Sequence, residues 1–182
     1  WLVEDLANAN ANRSEAPWII VQGHRPLWCS CAENCITDSA TLRDGLKGSD
    51  GSLHFGLEEL FLAAGVDVYL AGHEHNYERM YDVSTGGKTT RSTTNPPATT
   101  FIVIGNAGNR ENHEAFDLPK PEFSAKRINH FGYAHMDIYN ATHMYWEHLL
   151  TDDEYPTKAQ GAVVDSFWLV QESHGPFKGS TN

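Results

Sequence analysis

An α/β fold with mixed sheets flanked by helices is predicted by three features of this sequence. Trp18-Ile19-Ile20-Val21 is apolar at every position and Val66 to Ala71 at nearly every one, the pattern of strands buried on both faces. Leu57, Leu60, Phe61 and Ala64 share one face of a short helix, and Gly65 follows as a residue suited to a left-handed cap. The order strand, long excursion, helix, strand is α/β in character.

The other elements follow in chain order. Trp1 to Asn12 reads as the end of a helix, with Leu2, Val3 and Leu6 as its apolar stripe and an Ala/Asn fade-out after them. Glu15-Ala16-Pro17 is a connector. After His24 the chain enters a loop with Pro26 and the cysteines, then a Gly/Ser/Asp-rich stretch from Gly45 to Gly56. Ser84 to Thr100 reads as a loop or long hairpin tip. Phe101 to Gly105 is a buried strand ending at Asn106-Ala107-Gly108, and Asn109 to Asn129 is polar and irregular. Tyr133 to Tyr139 and Thr142 to Leu149 form a hairpin around Asn140-Ala141, and Ala162 to Val170 is a last strand. No internal repeat or linker interrupts residues 1–182, which read as one unit.

Bulk properties narrow the function. The chain has 182 residues, 40% of them hydrophobic and 20% charged, an ordinary globular balance. A formal charge of −11 argues against nucleic acid or an anionic membrane as the main partner. An anionic substrate stays open, because a bound cation would dominate its local field. No apolar run approaches the roughly 20 residues that span a bilayer. The first residue is Trp1, so the polypeptide reads as mature or truncated. Two sequons, Asn12-Arg13-Ser14 and Asn140-Ala141-Thr142, together with clustered cysteines favour a secreted or secretory-pathway protein. Of Cys29, Cys31 and Cys35, the pair Cys29 and Cys35 suits an internal disulfide, since residues two apart rarely meet its geometry. A zinc-binding cysteine cluster competes with that reading but lacks the usual Cys-x-x-Cys spacing.

Chemistry concentrates at the histidines. His24 follows the first strand, and His73 and His75 follow the second after Gly72, a glycine read as permitting close backbone approach. In an extended segment residues two apart face the same side, so His73 and His75 are expected to converge on one spot. Three imidazoles at the carboxyl ends of strands form a candidate metal site at a sheet edge. The carboxylates that metals often add are not evident nearby. The remaining histidines, His54, His113, His130, His135, His143, His148 and His174, read as solvated or locally hydrogen-bonded.

Gly23-His24-Arg25-Pro26-Leu27-Trp28-Cys29-Ser30 followed by Gly72-His73-Glu74-His75-Asn76-Tyr77-Glu78-Arg79 closely resembles the purple acid phosphatases of the calcineurin-like metallophosphoesterase superfamily. Echoes run on through Phe55 to Leu60, Gly105 to Gly108, Phe131-Gly132-Tyr133 and Val164 to Val170. The Gly-His-Arg-Pro form with Cys-Ser after it is similar to the long animal, fungal and protist members.

That resemblance implies the carboxyl-terminal half of a metallophosphoesterase-type α/β sandwich. It implies a binuclear centre, with His24 and His73 on a divalent metal (Zn, Fe or Mn) and His75 on Fe(III). Tyr77, Glu78 and Arg79 match a family motif and read as structural. The family's other ligands are two aspartates, a tyrosine and an asparagine, in motifs expected upstream of Trp1, on a missing amino-terminal half. With them, hydroxide activated by two metals would attack a phosphate monoester in line, making the whole an acid phosphatase in which this chain alone is not active. Arg25 either holds the phosphate or is structural. The alternative is a non-catalytic module of the same fold, a binding or structural component of a larger glycoprotein assembly.

Overall fold

The computed structural model describes residues 1–151 and 160–177. The chain begins with helix α1 (Leu2–Ala11), then strand β1 (Ile20–Gly23), helix α2 (Glu33–Asp44), a small ribbon of β2 (Leu46–Lys47) and β3 (Leu53–His54), and helix α3 (Glu58–Ala64). Strands β4 (Val68–Ala71), β5 (Tyr77–Asp82), β6 (Thr100–Ile104) and β7 (Ser124–Ile128) follow. The described part closes with β8 (Gly132–Ile138), β9 (His143–Leu150) and β10 (Val163–Val170).

Two sheets carry the architecture. The five-stranded sheet runs β1-β4-β6-β5-β7, with β1, β4 and β6 parallel and β5 antiparallel to both its neighbours. The antiparallel sheet runs β10-β9-β8. Strand alternation explains the all-apolar runs. On β4 and β6, Tyr69, Ala71, Phe101 and Val103 join Leu6, Phe61 and Val66 under the helices. Val68 and Ile102 point the other way, against Met144, Trp146, Leu150 and Leu169 of the antiparallel sheet. Both faces are therefore covered, as parallel strands require.

Several expectations need correction. β1 starts at Ile20 rather than Trp18. Val3 is exposed, and the α1 stripe is made by Leu2, Leu6 and Ala9. α2 lies where a cysteine loop is expected, and β7 within the stretch expected to be irregular. Gly65 does cap α3 with φ 65° and ψ 45°. Among the described residues no helix is long and apolar enough to cross a membrane.

Candidate metal centre

β1 and β4 are parallel neighbours in register, Gly23 opposite Ala71, so both release the chain at one sheet edge. The ladder extends one step further, where Gly72 N–H donates to the His24 carbonyl at 3.0 Å. His24 and His73 meet there: His73 Nδ1 lies 3.0 Å from His24 Nε2, with ring centroids 4.9 Å apart. Two imidazole nitrogens sharing one ion at the usual bond length of roughly 2.0–2.1 Å would lie about 3 Å apart, so the pair fits a common metal.

His75 behaves differently. The segment is a turn rather than a strand, because His73 takes φ +61°, a left-handed conformation uncommon outside glycine. Same-side alternation therefore does not apply, and among the described residues no three-ligand group within 4.8 Å joins His24, His73 and His75. Glu114 holds the His75 peptide from both sides: its carboxylate accepts the His75 N–H at 2.9 Å, and its own N–H donates to the His75 carbonyl at 2.9 Å. His75 Nδ1 is 3.9 Å from Glu111 Oε2.

The carboxylates of Glu74 and Glu114, which sequence reasoning missed, gather at Cys31 rather than at the His24–His73 pair. Glu74 is buried and faces the free thiol of Cys31, whose Sγ lies 3.1 Å from Glu74 Oε2; with Glu114 they form a group of potential ligands. Burial raises the Glu74 carboxyl, the Cys31 hydrogen bond opposes that, and the Glu114 carboxyl adds to it. Burial, with Glu74 beside it, pushes the Cys31 thiol up to about 12. An i, i+2 pattern read as a strand turns its middle residue away from the site, so spacing gave no signal for Glu74. Glu114 comes from a stretch without periodicity.

The close backbone approach is at Gly105, not Gly72. A Cβ on Gly105 would sit 2.1 Å from the Glu74 carbonyl oxygen, whereas at Gly72 the nearest atom is 3.8 Å away. The His73 imidazole is held below its ordinary range by partial burial, then by Arg25 and His24. A neutral ring is the form that binds metal.

Arg25 forms an exposed ion pair with Asp38 at 2.9 Å. Cys29 and Cys35 are joined as a disulfide, which anchors α2 to the preceding loop. Asn12 is exposed at the end of α1, and Asn140 is exposed at the β8–β9 tip. His113 bonds Asn129 at 2.7 Å, apart from the His24–His73 pair. His148, expected to be solvated or locally hydrogen-bonded, is fully buried and stacked 4.0 Å from Tyr77. Tyr77 and Arg79 both donate to Asp165 of β10, and Glu78 is buried among Ser30, Ser124 and Arg127.

A family model described as calcineurin-like phosphoesterase matches residues 1–77, and one described as iron/zinc purple acid phosphatase-like protein C matches residues 98–166. Acid phosphatase type 7 of Danio rerio is 41% identical over 185 residues, covering 97% of this chain. The chain spans 40% of the length of that relative. A purple acid phosphatase, PPD1, from yellow lupin (Lupinus luteus) seeds superposes with a TM-score of 0.71 at 22% identity, over 93% of this chain and 27% of that one. GAP50, described as the anchor in the inner membrane complex of Plasmodium, superposes with a TM-score of 0.62 at 17% identity, over 94% of this chain and 42% of that one.

Proposed function

This chain belongs to the purple acid phosphatases of the calcineurin-like phosphoesterases, and from that premise we propose that it supplies part of a two-metal centre hydrolysing phosphate monoesters at acid pH. The observation that carries the reading is the His24–His73 pair, two ring nitrogens 3.0 Å apart at the ends of adjacent parallel strands. Two imidazoles are too few to close a metal site. The remaining ligands, including one of the two aspartates expected to bridge the metals, would lie on an upstream half of the same protein.

In this reading His24 and His73 hold the divalent ion (Zn, Fe or Mn), and His75 holds Fe(III). When bound, the two metals supply an activated water and neutralise charge on the phosphate. The chain's own residues do the positioning. Gly105 lets the Glu74 backbone approach, and Glu114 fixes the His75 peptide. Asp38 holds the Arg25 guanidinium beside the pair, where it meets a phosphate bidentately once released from the carboxylate. The disulfide and both sequons fit a secreted glycoprotein.

The test is metal analysis and phosphatase assay of the full-length protein. Iron with a second metal is expected, together with acid phosphomonoesterase activity. Histidine-to-alanine substitution at position 24 or 73 should deplete the divalent metal, and at 75 the iron. Finding neither metal in the full-length protein would end the proposal. The alternative, a non-catalytic module in a larger glycoprotein assembly, draws on the fold's also serving in a protein described as an anchor. Loss of the bridging aspartate from the upstream sequence would favour it.

A further inference from the structure

The outward face of the antiparallel sheet carries an aromatic row. Register places Tyr145 between Asp137 and Trp168, and alternation puts Tyr139 and His143 on the same face. Trp168 lies with its ring centroid 5.0 Å from Tyr139, 5.0 Å from Tyr145 and 6.2 Å from His143. This is no buried cluster: Tyr139 is 63% and Trp168 43% exposed. Aromatic side chains massed at a surface normally mark something that covers them.

The sequon Asn140-Ala141-Thr142 stands at the rim of this row, directly after Tyr139. Its acceptor is held rigidly. The Asn140 side-chain oxygen accepts from Thr142 N–H at 2.8 Å, from the Thr142 hydroxyl at 3.0 Å and from His143 N–H at 2.9 Å. The Asn140 carbonyl accepts from the Trp18 indole at 2.9 Å, tying the tip to β1's approach. With its oxygen fixed, the Asn140 carboxamide is oriented, and Nδ2, the atom that carries an N-linked sugar, has no hydrogen-bond partner among the described residues. Pyranose rings present apolar C–H faces edged by hydroxyls. They match a row of aromatic faces flanked by Asp137 and His143, which can bond those hydroxyls.

We infer that Asn140 carries an N-linked glycan whose first sugars lie along Tyr139, Trp168 and Tyr145, so that the protein covers its own aromatic face. The glycan would keep the row from associating with a second apolar surface and stiffen the β8–β9 tip. The inference is independent of the metal centre.

The experiment uses the full-length protein secreted from a eukaryotic host. Peptide mass mapping reads occupancy at Asn140, and hydroxyl-radical footprinting reads the accessibility of Trp168 and Tyr139. The glycosylated protein is compared with Asn140→Gln and with Thr142→Ala, two different ways of removing the sequon. Occupancy of Asn140 is expected, with Trp168 and Tyr139 oxidation rising about twofold or more in both variants as one ring face opens to water. Trp28 and Trp146, both buried, serve as the control for global unfolding, and their labelling should stay constant. An unmodified Asn140 overturns the inference. Equal Trp168 labelling with and without the glycan also overturns it: high in both, the sugars lie elsewhere; low in both, polypeptide covers the face.

Discussion

Replacing Asp165 by alanine should destabilise the fold more than any change at an exposed ion pair. Asp165, on β10, accepts from Tyr77 Oη at 2.7 Å, Arg79 Nε at 2.7 Å and Arg79 Nη2 at 3.0 Å, joining the two sheets. The side chains of Arg79 and Asp165 are 11% and 7% exposed. Removing one partner of a buried pair costs about 3–5 kcal/mol, because the other charge stays buried and unpaired. Here the lower end, about 3 kcal/mol, is expected. Arg79 keeps its stacking over Phe167 at 4.4 Å, and Tyr77 keeps the indole of Trp146 as a donor. The assay is urea unfolding of the full-length protein, with the midpoint lowered and the slope unchanged. A loss under about 1 kcal/mol, the size of a surface pair, would refute the argument. The double variant Arg79→Met with Asp165→Leu should recover most of the loss. Burial raises the Asp165 carboxyl, but Arg79's hydrogen bonds and charge outweigh that and leave it below the usual carboxylate range. A depressed carboxylate contributes its full stability above its unfolded pKa and loses it as pH falls through the lower folded value, so the link stays intact in mildly acid solution.

Burial holds the His148 imidazole down at about 4, against 6.5 when free. A base depressed in the folded state contributes stability that is full above pH 6.5 and is lost as pH falls towards 4, about 3 kcal/mol in all. His148→Gln should flatten that part of the stability–pH curve in urea melts, and parallel curves would contradict the assignment. Gly105→Ala drives a Cβ against the Glu74 carbonyl oxygen and should weaken metal binding roughly tenfold by displacing the histidine turn, measured by calorimetry. Leu150, fully buried between the sheets, should cost about 2–5 kcal/mol on truncation to alanine in the same urea assay.

Which parts of the fold could be read from sequence follows from where the information sits. β4 and β6 were legible because both faces are covered, so nearly every residue is apolar. α2 was not, since its Glu-Asn-Cys-Ile-Thr-Asp run has no apolar stripe and buries only Cys35 and Ser39. Contacts with the neighbouring loops hold it instead: the Cys29–Cys35 disulfide, the Leu57 N–H on the Leu42 carbonyl, and Arg43 over the Trp28 ring at 4.1 Å. β7 escaped for a related reason, because its Arg127 reads as surface until buried Glu78 on β5 is known to face it. Tertiary partners, not local periodicity, determine both elements.

The Gly-His-Glu-His segment shows the same division within the candidate site. Its residue types and place after a strand were legible; its backbone was not. Had the segment stayed extended, His73 and His75 would face one point and compete for one ion. With His73 at φ +61°, His73 instead pairs with His24 across two strands, while Glu114 pins His75 separately. The turn also places Glu74 in the interior, against Cys31 rather than in solvent. One ligand pair and one separate imidazole is compatible with the arrangement proposed above, His24 and His73 on one ion and His75 on another. The left-handed backbone at His73 is thus what separates the two groups and what sequence periodicity could not show.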